Sequence, residues 1–195
     1  RRINVDSFSN VATDNYLAGV MAGEYLGSIG HKRVATVTGP RITQWARDRL
    51  DGFRDGLAKY QAQLEWQYSQ TDLPDFETGL AACDALMADY AGRALPTAIW
   101  AQNDIIAAAV LKSLTNQGYR VPEDISLLGM DDIQLCTMVT PMLSTIHQPL
   151  REIAQESIRI IMENEPGAKP QPRRVFLTPT LQVRESTAPP NPVAD

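Results

Sequence analysis

The stretch PEDISLLGMDD, residues 122–132, decides the fold. Pro122, Glu123 and Asp124 make a turn, ISLLGM is almost wholly apolar, and two aspartates close the run. A strand without polar alternation is buried on both faces, as strands of a parallel sheet are. In an open α/β sheet, ligands bind just outside the carboxyl ends of the strands. Asp131 and Asp132 therefore stand where a ligand would lie. Upstream the pattern repeats, with TAIWA at 97–101 running into Gln102, Asn103 and Asp104. Two strands thus deliver polar side chains to one edge.

Outward from these strands, helical and strand patterns alternate. Residues 14–29 place Ala18, Met21, Ala22, Tyr25, Leu26 and Ile29 at helical spacing, with Gly30 as the stop and Thr13 or Asp14 as the cap. RVATVT at 33–38 reads as a strand, 45–60 as a helix, 64–68 as a short strand, and 76–90 as a helix. Residues 104–117 read as a helix that Gly118 ends. Strands alternating with helices of this length form βαβ units around a parallel sheet, with all strand C-termini on one edge. Beyond Asp132, residues 133–142 are apolar without a period, 143–148 are strand-like, and 150–163 are helical. Residues 173–178 and 181–184 read as strands flanking Pro179, and the proline-rich end reads as a disordered tail.

Composition excludes several classes. The chain has 195 residues, 44% hydrophobic and 21% charged, which suits one substantial core or two small lobes. No apolar run reaches the ~18 residues of a membrane helix. A net charge of −5 gives no overall positive field for nucleic acid. Cys83 and Cys136 lack CxxC spacing and read as buried thiols of a reducing compartment; with only His31 and His147, a zinc site is not expected. The chain opens RRIN without methionine, and is read as a fragment or a processed product. There is no GxGxxG after a strand, no GxxxxGK[ST], no GxSxG and no HExxH.

The polar set at the carboxyl edge is Arg49, Asp72, Asn103, Asp104, Asp131, Asp132 and Gln148. Such groups hydrogen-bond the hydroxyls of a small ligand, and Arg clamps a carboxylate or phosphate. The alternative is helix capping, which suits Asp104 better than Asn103. Asp131 and Asp132 diverge as neighbours at a strand end, which disfavours a shared acid/base pair. His31 follows a helix end, where a cation complements the dipole. His147 reads as a packed or inter-lobe side chain. Trp45, Trp66, Trp100 and Phe76 are ordinarily core residues, although Phe76 or Leu73, just past a strand, could face a ligand.

These residues, taken in order, resemble the lactose/galactose repressor (LacI/GalR) family of bacterial transcription regulators. The matching segments are Thr13-Asp14-Asn15, LGSIGHKRV at 26–34, RLDGF at 49–53, residues 96–104, GYRVPEDISLLGMDD at 118–132, PMLSTIHQP at 141–149 and LQVRES at 181–186. The resemblance implies a periplasmic-binding-protein-like α/β fold with a parallel sheet, two lobes, a ligand cleft and three crossovers. It implies that residues 1–142 form a near-complete C-terminal lobe and 143–179 the returning segment of the N-terminal lobe. Residues 180–186 then cross back, and 187–195 form the tail. It carries the pocket onto Arg49, Asn103, Asp131 and Gln148, and puts the family's aromatic stacker on Leu73, or on Phe76 with a small shift.

The expected role is effector binding and dimerisation in a cytoplasmic regulator, with no catalytic residues, cofactor, metal or membrane contact. The effector is a sugar, a nucleobase or a similar small molecule. Operator DNA is reached only through a helix-turn-helix headpiece that these residues do not contain. The alternatives are a periplasmic sugar-binding protein of the same fold and, against the missing nucleotide motifs, a Rossmann-like enzyme.

Overall fold

The computed structural model describes residues 8–38, 43–69, 75–163 and 171–191. In chain order its elements are β1 (Asn10–Thr13), α1 (Asn15–Ser28), β2 (Arg33–Thr38), α2 (Gln44–Ala58), β3 (Gln63–Ser69), α3 (Phe76–Asp89), β4 (Ala98–Ala101) and α4 (Asp104–Asn116). They continue with β5 (Ser126–Asp131), a 3-10 turn (Gln134–Thr137), β6 (Ser144–His147), α5 (Leu150–Met162), β7 (Arg174–Leu177) and β8 (Thr180–Gln182).

The apolar run of β5 lies inside a six-stranded sheet of order β3-β2-β4-β5-β6-β8. All its pairings are parallel except the last, where β8 runs antiparallel to β6. Both faces are covered, which is why LLGM tolerates no polar alternation. One face packs Val34, Trp100, Leu128, Met130 and Ile146 against Ala18, Ala22 and Leu26 of α1 and Phe53 and Leu57 of α2. The other packs Val37, Ile99 and Leu127 against Cys83 and Leu86 of α3 and Ile106, Val110 and Leu114 of α4. Among the described residues a second sheet holds β1 and β7, parallel, with Asn10 opposite Arg174 and Ala12 opposite Phe176.

The helix starts follow from local chemistry. Asp14 caps α1 by accepting from Leu17 N, and Asp75 with Thr78 forms a capping box on α3. α1 and α2 touch through glycine: a Cβ at Gly19 would overlap the Arg49 carbonyl, and one at Gly52 would overlap that of Tyr16. This close approach holds the start of α2, and with it Arg49, over the sheet edge.

Three boundaries differ from the sequence reading. β1 pairs with β7 rather than joining the large lobe. β6 pairs in register with β5, Leu128 opposite Ser144 and Asp131 opposite His147, so residues 144–147 belong to the large sheet and the chain leaves it only at Gln148. β6 (STIH) is buried through Ser144, Thr145 and Ile146, so it completes the large sheet whatever the later path of the chain. The third difference is the tail. Residues 187–191 are not loose: Thr187 binds the Tyr25 and Ser144 hydroxyls, and Ala188 exchanges hydrogen bonds with Ser126. Residues 192–195 lie outside the described residues.

His31 closes this strap. It is fully buried, and since a carbonyl only accepts, Nε2 donates to Ala188 O at 3.0 Å while Nδ1 accepts from the Thr97 hydroxyl at 2.9 Å. Burial holds its pKa down at about 4, against the smaller opposing pull of the Ala188 carbonyl. The His31 contribution is therefore complete above pH 6.5 and lost as pH falls toward 4, at about 3 kcal/mol in full. Denaturant midpoints measured between pH 7 and pH 4 should fall further for the wild type than for His31→Gln. Equal slopes would contradict the buried neutral imidazole.

Candidate functional site

A cleft of about 840 Å³ opens between the carboxyl edge of the large sheet and the small sheet. That volume suits a small organic ligand. Its floor is Arg49 near the start of α2, Gln102 and Asn103 after β4, Asp131 at the end of β5 and Gln148 after β6. Gln44, Trp45 and Asp48 add one wall from α2. Asn10, Ala12, Arg174 and Phe176 of the small sheet, with Ile153 of α5, add the other.

Arg49 is 6% exposed and held at two atoms. Nε donates to Asn15 Oδ1 at 2.8 Å, Nη1 donates to Gln102 O at 2.7 Å, and the guanidinium carbon lies 5.0 Å from the Trp45 ring centroid. Burial lowers its pKa to about 10, with the Asp131 charge partly opposing. Asp131 mirrors this. Burial pushes its carboxyl up to about 6, while Arg49 and the Gln148 hydrogen bond pull it down and Asp104 pushes it up. The two charges feel each other, yet make no ion pair with one another. Donor and acceptor capacity thus stays open on both sides of the cleft floor.

Asp131 leaves the strand with φ 119°, and Asp132 follows with φ 60°. Non-glycine residues at positive φ are strained and gather at functional sites. The turn splays the two carboxylates, so the paired acid/base reading fails. Asp131 Oδ1 accepts from Gln148 Nε2 at 2.5 Å, and Gln148 Oε1 accepts from Thr13 Oγ1 at 2.7 Å. Asp132 turns away, accepting from His147 Nδ1 at 3.0 Å and from Arg184 Nη2 at 2.6 Å.

Asn103, not Asp104, caps α4, because its side-chain oxygen accepts from Ile106 N at 2.7 Å. This reverses the expectation from cap preference. Asp104 is fully buried instead, and accepts from Thr145 Oγ1 at 2.7 Å and Ile133 N at 3.0 Å, tying α4 to β6 and to the turn after β5. The amide of Gln102 is buried without a hydrogen-bond partner. Phe76 is not brought to the cleft. Its ring lies 5.8 Å from Lys112 Nζ, at the contact of α3 and α4. Leu73 and Asp72 lie outside the described residues.

The structure therefore gathers Arg49, Asn103, Asp131 and Gln148 around one cleft. Sequence reasoning misses Trp45, which reads as core, and Thr13 and Asn15, which hold the floor residues in place. Trp45 stands four residues before Arg49 on one helix, a spacing that puts both on one face and could have flagged it. Among the described residues no three His, Cys, Asp or Glu side chains converge as metal ligands, and no helix is long and apolar enough to cross a membrane.

The family model for the periplasmic binding protein-like domain matches residues 24–187. The chain belongs to this family. The curated relatives and solved structures it is similar to include regulators of the LacI type. It is 34% identical over 182 residues to the ribose operon repressor of Escherichia coli, covering 93% of this chain and 54% of that protein. It superimposes on the dimeric Lac repressor with an 11-residue C-terminal deletion at a TM-score of 0.83 and 26% identity, covering 93% of this chain and 64% of the other. On a LacI family regulator from Enterococcus faecium with bound ribose the TM-score is 0.78 at 28% identity, covering 97% and 68%. The chain spans about half the length of the curated relatives it matches.

In this periplasmic binding protein-like domain Gln148 joins the two sheets, because it bonds Asp131 on one and Thr13 on the other. Gln148→Leu should destabilise the protein by about 1–3 kcal/mol, since the buried Thr13 hydroxyl and the half-buried Asp131 carboxylate lose their bonds. Urea denaturation checks this, and an unchanged midpoint would show that the chain Thr13–Gln148–Asp131 carries no load.

Proposed function

We propose that this chain is the effector-sensing part of a LacI-type transcriptional regulator, that its cleft takes a small polyhydroxylated ligand, and that it works by binding, without catalysis. The observation that carries the reading is the open Arg49–Asp131 pair. A guanidinium and a carboxylate, both disfavoured by burial and not closed on each other, suit a ligand that offers hydroxyls to both. Asn103 and Gln148 extend the set with an amide each. Relatives named as repressors, and a similar structure with bound ribose, favour a sugar and a regulator over a periplasmic carrier.

The mechanism rests on where the cleft sits. Its two walls come from different sheets, and the chain passes between them after Thr13, after His147 and before Thr180. A ligand that touches both walls binds one arrangement of the sheets better than others and shifts the equilibrium toward it. In the longer regulator that shift would alter operator affinity. DNA contact belongs to another part of that regulator, since this chain is acidic, and the setting is cytoplasmic. Met138 beside the 3-10 turn is 66% exposed, and Ile105 on the neighbouring α4 is 42% exposed. Leu135 and Val139 turn inward onto the core. An exposed apolar patch there supports self-association of this lobe.

Calorimetry with D-ribose tests the ligand site. Asp131→Ala should weaken binding by about 2–5 kcal/mol. Hydroxyl donors favour the ionised carboxylate, so wild-type affinity should be full above pH 6 and fall as pH drops through about 6. Undiminished binding by Asp131→Ala would end the assignment. For self-association, sedimentation should show Met138→Asp shifted toward monomer relative to wild type, and no shift would remove this surface from the interface.

A further inference from the structure

We propose that Gln102 is a ligand-selecting residue of the cleft floor: its carboxamide, unpaired in the free chain, is paired by a ligand group that both donates and accepts a hydrogen bond. A hydroxyl does this, and so does a carboxamide, whereas an ether or a carboxylate only accepts. This rests on the reading of the cleft as an effector site and specifies what the effector presents beside Arg49. Gln102 lies outside the pocket set that the family resemblance implies.

Gln102 follows β4 directly and lines the cleft. Its main chain is fully used. The N–H donates to Val37 O, which carries the β2–β4 ladder one residue past Ala101, and the carbonyl accepts from Arg49 Nη1. Extended backbone alternates, so the side chain lies on the face of Trp100, toward α1 and α2. There it is only 2% exposed, and both Nε2 and Oε1 lack a hydrogen-bond partner among the described residues. Its polar neighbours are spent. Asn103 accepts from Ile106 N, Asp104 accepts from Thr145 and Ile133, and the Thr36 and Thr38 hydroxyls donate to Trp100 O and Tyr68 O. A buried amide unpaired at both ends is less stable than an apolar side chain of the same shape. Such a cost is characteristic of a site whose ligand removes it. The bond to Arg49 holds the main chain still, and the side-chain torsions of Gln102 bring the covered amide to the ligand.

The test pairs urea denaturation with D-ribose calorimetry on wild type, Gln102→Met and Asp131→Ala. Methionine matches glutamine in reach and makes no hydrogen-bonding demand. Gln102→Met should raise the urea midpoint of the free protein and weaken ribose by about tenfold. A glutamine with a structural role alone would lower the midpoint instead. A lowered midpoint would therefore show that the amide is already satisfied in the free protein, by ordered water for example, and would overturn the proposal. Ribose affinity unchanged in Gln102→Met but lost in Asp131→Ala would overturn the role of Gln102 and leave the cleft reading intact. In wild type, the side-chain NH2 resonances of Gln102 should shift on ribose addition. Resonances that stay in place while ribose binds would overturn the proposal even if Gln102→Met does not fold. No ribose binding by wild type would overturn the reading of the cleft as a site for a polyhydroxylated ligand, and this proposal with it.

Discussion

Arg49 and Asp131 face the same cleft without closing into an ion pair, and the surrounding structure is arranged to keep them so. Burial disfavours the charge on each, which is why the arginine pKa falls to about 10 and the aspartate pKa rises to about 6. Left to themselves, two such side chains would gain by meeting. Each is tethered instead. Arg49 is fixed to Asn15 and to the Gln102 carbonyl, and Asp131 is fixed to Gln148. The tethers in turn depend on the fold: α1 and α2 approach through glycine, and β5 and β6 run in register.

The tether on Asp131 also crosses between the sheets. Gln148 passes the load to Thr13, the last residue of β1, so a change at the carboxylate is felt where the chain changes sheets. Asp132, one residue on, does a separate task. It binds His147 and Arg184, and Arg184 donates to Leu143 O, which stitches the end of the chain to β6. Two adjacent aspartates thus face the cleft and the crossover, divided by backbone held at positive φ.

Much of this is legible in the sequence because hydrophobic period is a local property. The parallel sheet, five helices and the polar strand ends at Asn103 and Asp131 can be read from apolar runs and the residues that close them, whereas placing Arg49 and Gln148 with them as one pocket rests on the resemblance to the LacI/GalR family. Partnering between distant strands is not local. Nothing in VAT at 11–13 announces that it pairs with VFL at 175–177, and nothing in STIH at 144–147 says which sheet it joins. The roles of Asn103 and Asp104 depend on whether a buried acceptor meets Thr145, 41 positions away, and cap preference holds no such information. Trp45 reads as core for the same reason, since aromatic residues in a helix face the core unless tertiary structure opens a cleft beside them.

The claim on which the account turns is that Asp131 is half-buried, ionisable near neutrality and held apart from Arg49 for a ligand. Carbon-13 NMR of the aspartate carboxyls, with Asp131→Asn to assign the resonance, measures this directly. The account predicts a carboxyl that titrates at about 6 in the free protein and at lower pH when saturated with D-ribose. A carboxyl titrating at about 4 or below in the free protein, as a closed ion pair or an exposed side chain would, contradicts it.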